Sequence, residues 1–127
     1  MQEKNLYEYA VIRIMPRVER EEFINVGVVL YCAGNKFLQA LYEVNTPRTI
    51  AFCETCDTSE IEQYLKAFEL ICKGEGNAGP ISLLPAAARF RWLTATRSTV
   101  VQTSKVHPGM CKDPAEMLQK LFKNLVG

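Results

Sequence analysis

The sequence predicts an α+β fold: a two-layer sandwich of mostly antiparallel sheet, in the order βββ-α-α-β-α, with the helices packed on one sheet face. Three observations predict it. Three β-rich runs near the N-terminus are joined by turns too short for a crossover helix, which makes them antiparallel neighbours. Two later segments carry helical periodicity behind an N-terminal cap. Nothing in the 127 residues repeats, and no stretch reads as a linker, so residues 1–127 are expected to form a single domain.

Residues 6–15, LYEYAVIRIM, are β-branched and aromatic and stop at Pro16, as a strand should. Both period-2 faces, Tyr7/Tyr9/Val11/Arg13 and Glu8/Ala10/Ile12/Ile14, carry apolar residues, so this strand is expected inside the sheet with at least partial cover on each side. Polar residues 17–22 turn the chain into a second strand over 23–32. Alternation places Ile24, Val26, Val28 and Leu30 on one of its faces and Asn25, Gly27, Val29 and Tyr31 on the other. Ala33-Gly34-Asn35 supplies a tight hairpin, and residues 36–43 return as a third strand.

An irregular piece over 46–56 leads to the clearest helix. Ser59 and Glu62 make an S-x-x-E capping box, Ile61, Tyr64, Leu65, Phe68, Ile71 and Cys72 form its apolar stripe, and Gly74 stops it. After a loop to Pro80, residues 85–93 read as a short helix and 97–104 as a strand. The last helix has Asp113 as N-cap, Pro114 at its first position and Glu116 in its first turn, with Met117, Leu118, Leu121, Phe122 and Leu125 on the buried side. Both capped helices are expected on the sheet face of Ile24, Val26, Val28 and Leu30.

Hydrophobic residues make up 48% and charged residues 23%, with 15 Lys+Arg against 14 Asp+Glu, a formal charge of +1. These values exclude a disordered tail, a collagen-like chain, a disulfide-dense mini-domain and a highly basic nucleic-acid coat. Balanced charge disfavours nucleic acid as a partner, although Trp92 and Tyr31 beside arginines would stack bases if exposed. MQEKNLYEYA lacks the basic-then-apolar pattern of a secretion signal, and no apolar run approaches the roughly 20 residues of a membrane span. Five scattered cysteines fit reduced thiols, so the expected location is the cytoplasm, without membrane attachment.

Few motifs carry chemistry. GEGNAG at 74–79 spells G-x-G-x-x-G, but a helix ends on its first glycine, whereas dinucleotide binding needs a strand before the glycines and a helix after them. Cys53, Cys56, His107 and Cys111 have the number and softness of a zinc quartet, yet the H-x3-C spacing is loose and the apolar core accounts for folding, so no metal and no cofactor are expected. His107 is the only histidine, in the loop VHPG, and would need Ser104 or Cys111 beside it to serve a nucleophile. No catalytic residue is assigned, and the reading leans away from an enzyme.

Polar residues at core positions are the most informative feature. Arg13 interrupts an apolar strand face. If Met15 pairs near Phe23, the register sets Arg13 opposite Asn25, with Gly27 leaving open space beside them. A buried guanidinium must meet a carboxylate, an anion or solvent. A second cluster, RFRWLTATRST, sets Arg89, Arg91 and Arg97 around Trp92 with Thr96, Ser98 and Thr99, the donors that a phosphate or carboxylate ligand requires. The competing reading is internal ion pairing with Glu19, Glu21 and Glu22.

The candidate anion-binding residues are therefore Arg13, Arg17, Asn25, Arg91, Arg97, Ser98, Thr99 and His107. They define a non-catalytic binding module with an arginine-rich recognition surface. The alternative is a small enzyme on a phosphate-bearing substrate, with Arg91 and Arg97 holding the anion, Glu21 or Glu22 as base or His107 as acid.

RFRWLTATRSTVVQ, VHPGMCKDP and YEYAVIRIMPRVEREEFINVGVVLYC together resemble the bacterial family called domain of unknown function 3037, over nearly the whole chain. Thr96 stands where that family usually has proline and Pro108 where it has threonine, and no C-x-x-C is expected around Cys53. The resemblance implies no activity. It implies, by association, an accessory protein partnering a HipA-like kinase protein.

Overall fold

The computed structural model describes residues 4–15, 23–52, 57–74, 79–95 and 100–126. Five strands, β1 (Asn5–Ile14), β2 (Ile24–Cys32), β3 (Phe37–Tyr42), β4 (Val101–Thr103) and β5 (His107–Cys111), form one open antiparallel sheet. β1 is central, with β2 and then β3 on one side and both β4 and β5 along the other. Among the described residues four α-helices accompany the sheet: α1 (Thr46–Phe52), α2 (Thr58–Lys73), α3 (Ala86–Leu93) and α4 (Pro114–Leu125). The α+β class and the antiparallel sheet are as the sequence predicts.

The helix placement is corrected. Ala10, Ile12 and Ile14 point to one face, where Ile61, Leu65 and Phe68 of α2 and Phe90 and Leu93 of α3 cover them. Tyr7, Val28, Leu30 and Cys32 point to the other, where Leu118 of α4 seals them with Met117, Leu121 and Phe122 around it. The helices therefore lie on both faces. The physical reason is a β-bulge: β2 pairs Gly27 with Ile12 but Asn25 with Arg13, leaving Val26 as an extra residue. One extra residue inverts the alternation. Ile24 and Val26 thus face α2 while Val28 and Leu30 face α4, and the four never share a face.

A second irregularity shapes the other side of β1. Ile12 faces Thr103 and Tyr9 faces His107, so β4 and β5 are one residue out of register with each other. At the step, the Val11 amide donates to Ser104 Oγ at 2.9 Å, and the Ser104 amide donates back to Val11 O at 2.8 Å.

Local structure departs from the sequence reading at four further places. α1 fills part of the expected irregular piece, started by Asn45, whose side chain accepts from the Arg48 amide at 3.1 Å; two turns are too short to show a period. The N-cap of α2 is Asp57, not Ser59, and its carboxylate accepts from the Ser59 and Glu60 amides. Gly27 leaves no open space, because a Cβ there would sit 2.5 Å from Leu41 O. The loop VHPG is strand β5: Pro108, opposite Glu8, is at the sheet edge where no amide is required, and Gly109 lies against the Tyr7 ring. Gly74 does end α2, in the left-handed conformation with φ 74°, and Asp113 caps α4 as expected.

Candidate functional site

Arg13 and Asn25 meet as the sequence predicts. They are cross-strand partners on the α4 face, at the end of the sheet, and Gln102 of β4 flanks Arg13 on its other side. A polar row, Asn25, Arg13, Gln102, thus crosses three strands where apolar residues would continue the core. The bulge at Val26 creates it; in an unbroken ladder continued from Ile12 opposite Gly27, Arg13 would face Val26 and Asn25 would turn to the α2 face.

The Arg13 guanidinium lies over the Phe23 ring, its carbon 4.0 Å from the ring centroid. Phe23 is a site residue the sequence reading missed, although it stands diagonal to Arg13 in the register expected there. The stack is a cation–π contact that holds the fork in place. Arg13 is half-buried, and this burial draws its pKa down from the ordinary arginine value. Among the described residues its buried Nε has no hydrogen-bond partner. Asn25 donates through Nδ2 to the carbonyl of Leu125 at 3.2 Å, at the C-terminal end of α4, while its buried Oδ1 has no partner among the described residues. A fixed donor and a fixed acceptor are therefore left unused side by side.

The other candidates are not gathered there. Arg91 is exposed in the last turn of α3, on the opposite face of the sheet, where its charge suits a helix C-terminus. His107 is exposed on β5 and lies against Tyr9, with ring centroids 5.4 Å apart. Tyr9 is four residues from Arg13, about 13 Å along an extended strand, so His107 does not reach the Arg13 site. By the same spacing His107 stands about 13 Å from Cys111, too far for one metal to bind both. Arg17, Arg97, Ser98 and Thr99, like Glu19, Glu21, Glu22, Cys53 and Cys56, lie outside the described residues.

Two residues weighed as chemical groups are structural. Arg89 donates from one terminal nitrogen to Ile71 O at 2.8 Å and Cys72 O at 2.7 Å, and from Nε to Leu84 O, which caps the C-terminus of α2. The Ser104 hydroxyl donates to Lys105 O while accepting from Val11, so it has no proton to give a base. Tyr31 stacks on Phe90 at 5.4 Å, which occupies its ring face.

A family model described as protein of unknown function (DUF3037) matches residues 9–126 of the 127-residue chain. No curated protein and no solved structure matches the chain.

Proposed function

The chain belongs to the DUF3037 family, and because that membership brings no activity with it, we propose from its own residues a non-catalytic binding module that seats an anionic group, carboxylate or phosphate, on Arg13. The observation that carries this reading is the Arg13 guanidinium, stacked on Phe23 with its buried Nε unpartnered among the described residues. An arginine fork offers parallel donors matched to a two-oxygen acceptor, and a half-buried fork strengthens each bond it makes. Asn25 Oδ1 accepts a donor carried by the same ligand, such as a peptide amide or a hydroxyl. The partner we propose, on the family resemblance, is a HipA-like kinase protein presenting an acidic side chain or a C-terminal carboxylate.

The test is thermal unfolding of wild type and Arg13→Met in phosphate, sulfate, nucleotide and an acidic peptide. At ligand concentrations of about 100 times Kd, wild type gains about 2.7 kcal/mol and melts several degrees higher, while Arg13→Met, which keeps the volume over Phe23, does not respond. A variant that loses about 3 kcal/mol or more, together with no anion response in wild type, returns Arg13 to an internal ion pair.

A further inference from the structure

We propose that a cleft at the end of β2 is a second binding site, which holds a free α-amino acid as its zwitterion, the ammonium on Glu43 and Asn25 and the carboxylate on Arg48. The cleft measures about 280 Å³ and lies where β2, the chain leaving β3, α1 and the C-terminal end of α4 meet, with Asn25, Glu43, Arg48 and Val126 around it. That is below the roughly 300–1,000 Å³ of sites for drug-sized ligands, a size for a small metabolite. The proposal goes beyond the anion site on Arg13, which is not part of this lining, and shares only Asn25 with it.

Each polar group reaches the cleft for a local reason. The bulge at Val26 turns Asn25 to the α4 face, and the bond from its Nδ2 to Leu125 O fixes the amide, with the buried Oδ1 left without a partner among the described residues. The Glu43 amide donates to Val26 O at 2.8 Å, which keeps the chain against β2 beyond Tyr42. Alternation from Leu41, which packs with the α4 residues, puts the Glu43 side chain on the same face as Asn25. Arg48 stands in the first turn of α1, where its amide donates to Asn45 Oδ1 at 3.1 Å and the Thr49 hydroxyl donates to Asn45 O at 2.9 Å. Those bonds spend Asn45 and Thr49 on the helix start.

What is left is one acceptor, one anion and one cation. Glu43 and Arg48 are exposed and line the same cleft, yet they form no ion pair with each other or with any other described residue. A bare anion would meet Glu43, a bare cation would meet Arg48, and a neutral molecule would leave both charges unanswered. A zwitterion answers both: its ammonium donates to the Glu43 carboxylate and to Asn25 Oδ1, and its carboxylate accepts from the Arg48 fork. A peptide terminus has one of those charges, whereas a free amino acid has both on one α-carbon. Val126, with Ile24 and Val26 buried at the floor, gives the cleft an apolar wall, so the side chain it suits is aliphatic.

Calorimetric titration of the full chain with L-leucine tests the proposal, beside isocaproate and isopentylamine, which each lack one of the two charges. All three are titrated into wild type and into Arg13→Met, whose first site holds no anion. Leucine binds equally to both proteins, and in Arg13→Met each analogue binds about tenfold or more weaker than leucine. Glu43→Gln and Arg48→Gln, both at exposed positions, each raise the leucine Kd by about tenfold or more with the melting temperature unchanged. No binding of leucine up to millimolar concentration overturns the proposal, and if phosphate still stabilises wild type, the Arg13 reading stands without it. Leucine binding lost in Arg13→Met also overturns it, because the carboxylate then lies on Arg13 rather than on Arg48. So does a leucine Kd that is unchanged in Glu43→Gln and Arg48→Gln, or one that either analogue matches in Arg13→Met.

Discussion

A single hydroxyl closes the ladder where β4 steps out of register with β5. Val11 is buried, and its amide depends on Ser104 Oγ because the chain at the step turns no carbonyl toward it. Ser104→Ala leaves that donor without a partner in a place water does not enter, a loss of about 1–3 kcal/mol. Ser104→Thr keeps the oxygen and most of the stability. Urea unfolding of the two variants checks this, and equal losses for alanine and threonine would assign the effect to volume rather than to the hydrogen bond. The same accounting governs Arg13 with the opposite sign. Its Nε is unsatisfied among the described residues of the free protein, so removing the guanidinium costs little stability unless a charge stands beside it.

At the scale of the element, each amphipathic helix depends on the residue at the centre of its stripe. In α2 that anchor is Phe68, 4% exposed and set among Leu65, Ile71 and Phe90; in α4 it is Leu118, 1% exposed over Val28 and Leu30. Phe68→Ala is expected to cost about 3–5 kcal/mol and Leu118→Ala about 2–5. Phe122, only partly buried at the rim of the α4 contact, costs less than Leu118 in spite of its greater volume. Chemical denaturation of the three variants gives the order directly. A Phe122→Ala loss larger than that of Leu118→Ala would mean that α4 sits rotated on the sheet.

Across the whole molecule, burial acts on the weak acids in one direction. It pushes the Cys72 thiol up to about 12 and raises Tyr7, Tyr42 and Cys111 above their ordinary values, each with desolvation as the leading cause. The fold holds these groups in their neutral forms, so the unfolded chain loses its protons first as the pH climbs. Their contribution is fully present below the ordinary thiol value of 9.0 and is lost as pH rises from there toward 12. Cys72 alone removes about 1.4 kcal/mol per pH unit across that range. Urea midpoints should be level up to about pH 8.5 and fall steeply beyond it, and Cys72→Ala should shallow the fall. A midpoint unchanged to pH 11 would contradict the burial of these groups.

By itself the sequence determined the first three strands, the capped helices and the juxtaposition of Arg13 with Asn25. β-branched runs, an Asp-Pro helix start and a stopping glycine act within a few residues of chain, and Arg13 opposite Asn25 followed from counting across one turn. The faces were not legible. Alternation in β2 assumes an unbroken ladder, and the extra residue at Val26 is a property of two strands together, so the split of Ile24 and Val26 from Val28 and Leu30 appears only once β1 is beside β2. β5 was equally hidden, because Pro108 and Gly109 read as a turn until an edge position and the Tyr7 ring give them a reason to be extended. The dispersal of Arg91 and His107 away from Arg13 has the same origin. Local patterns specify what each segment is, whereas which side of the sheet it faces depends on contacts between residues far apart in the chain, and that is a tertiary quantity.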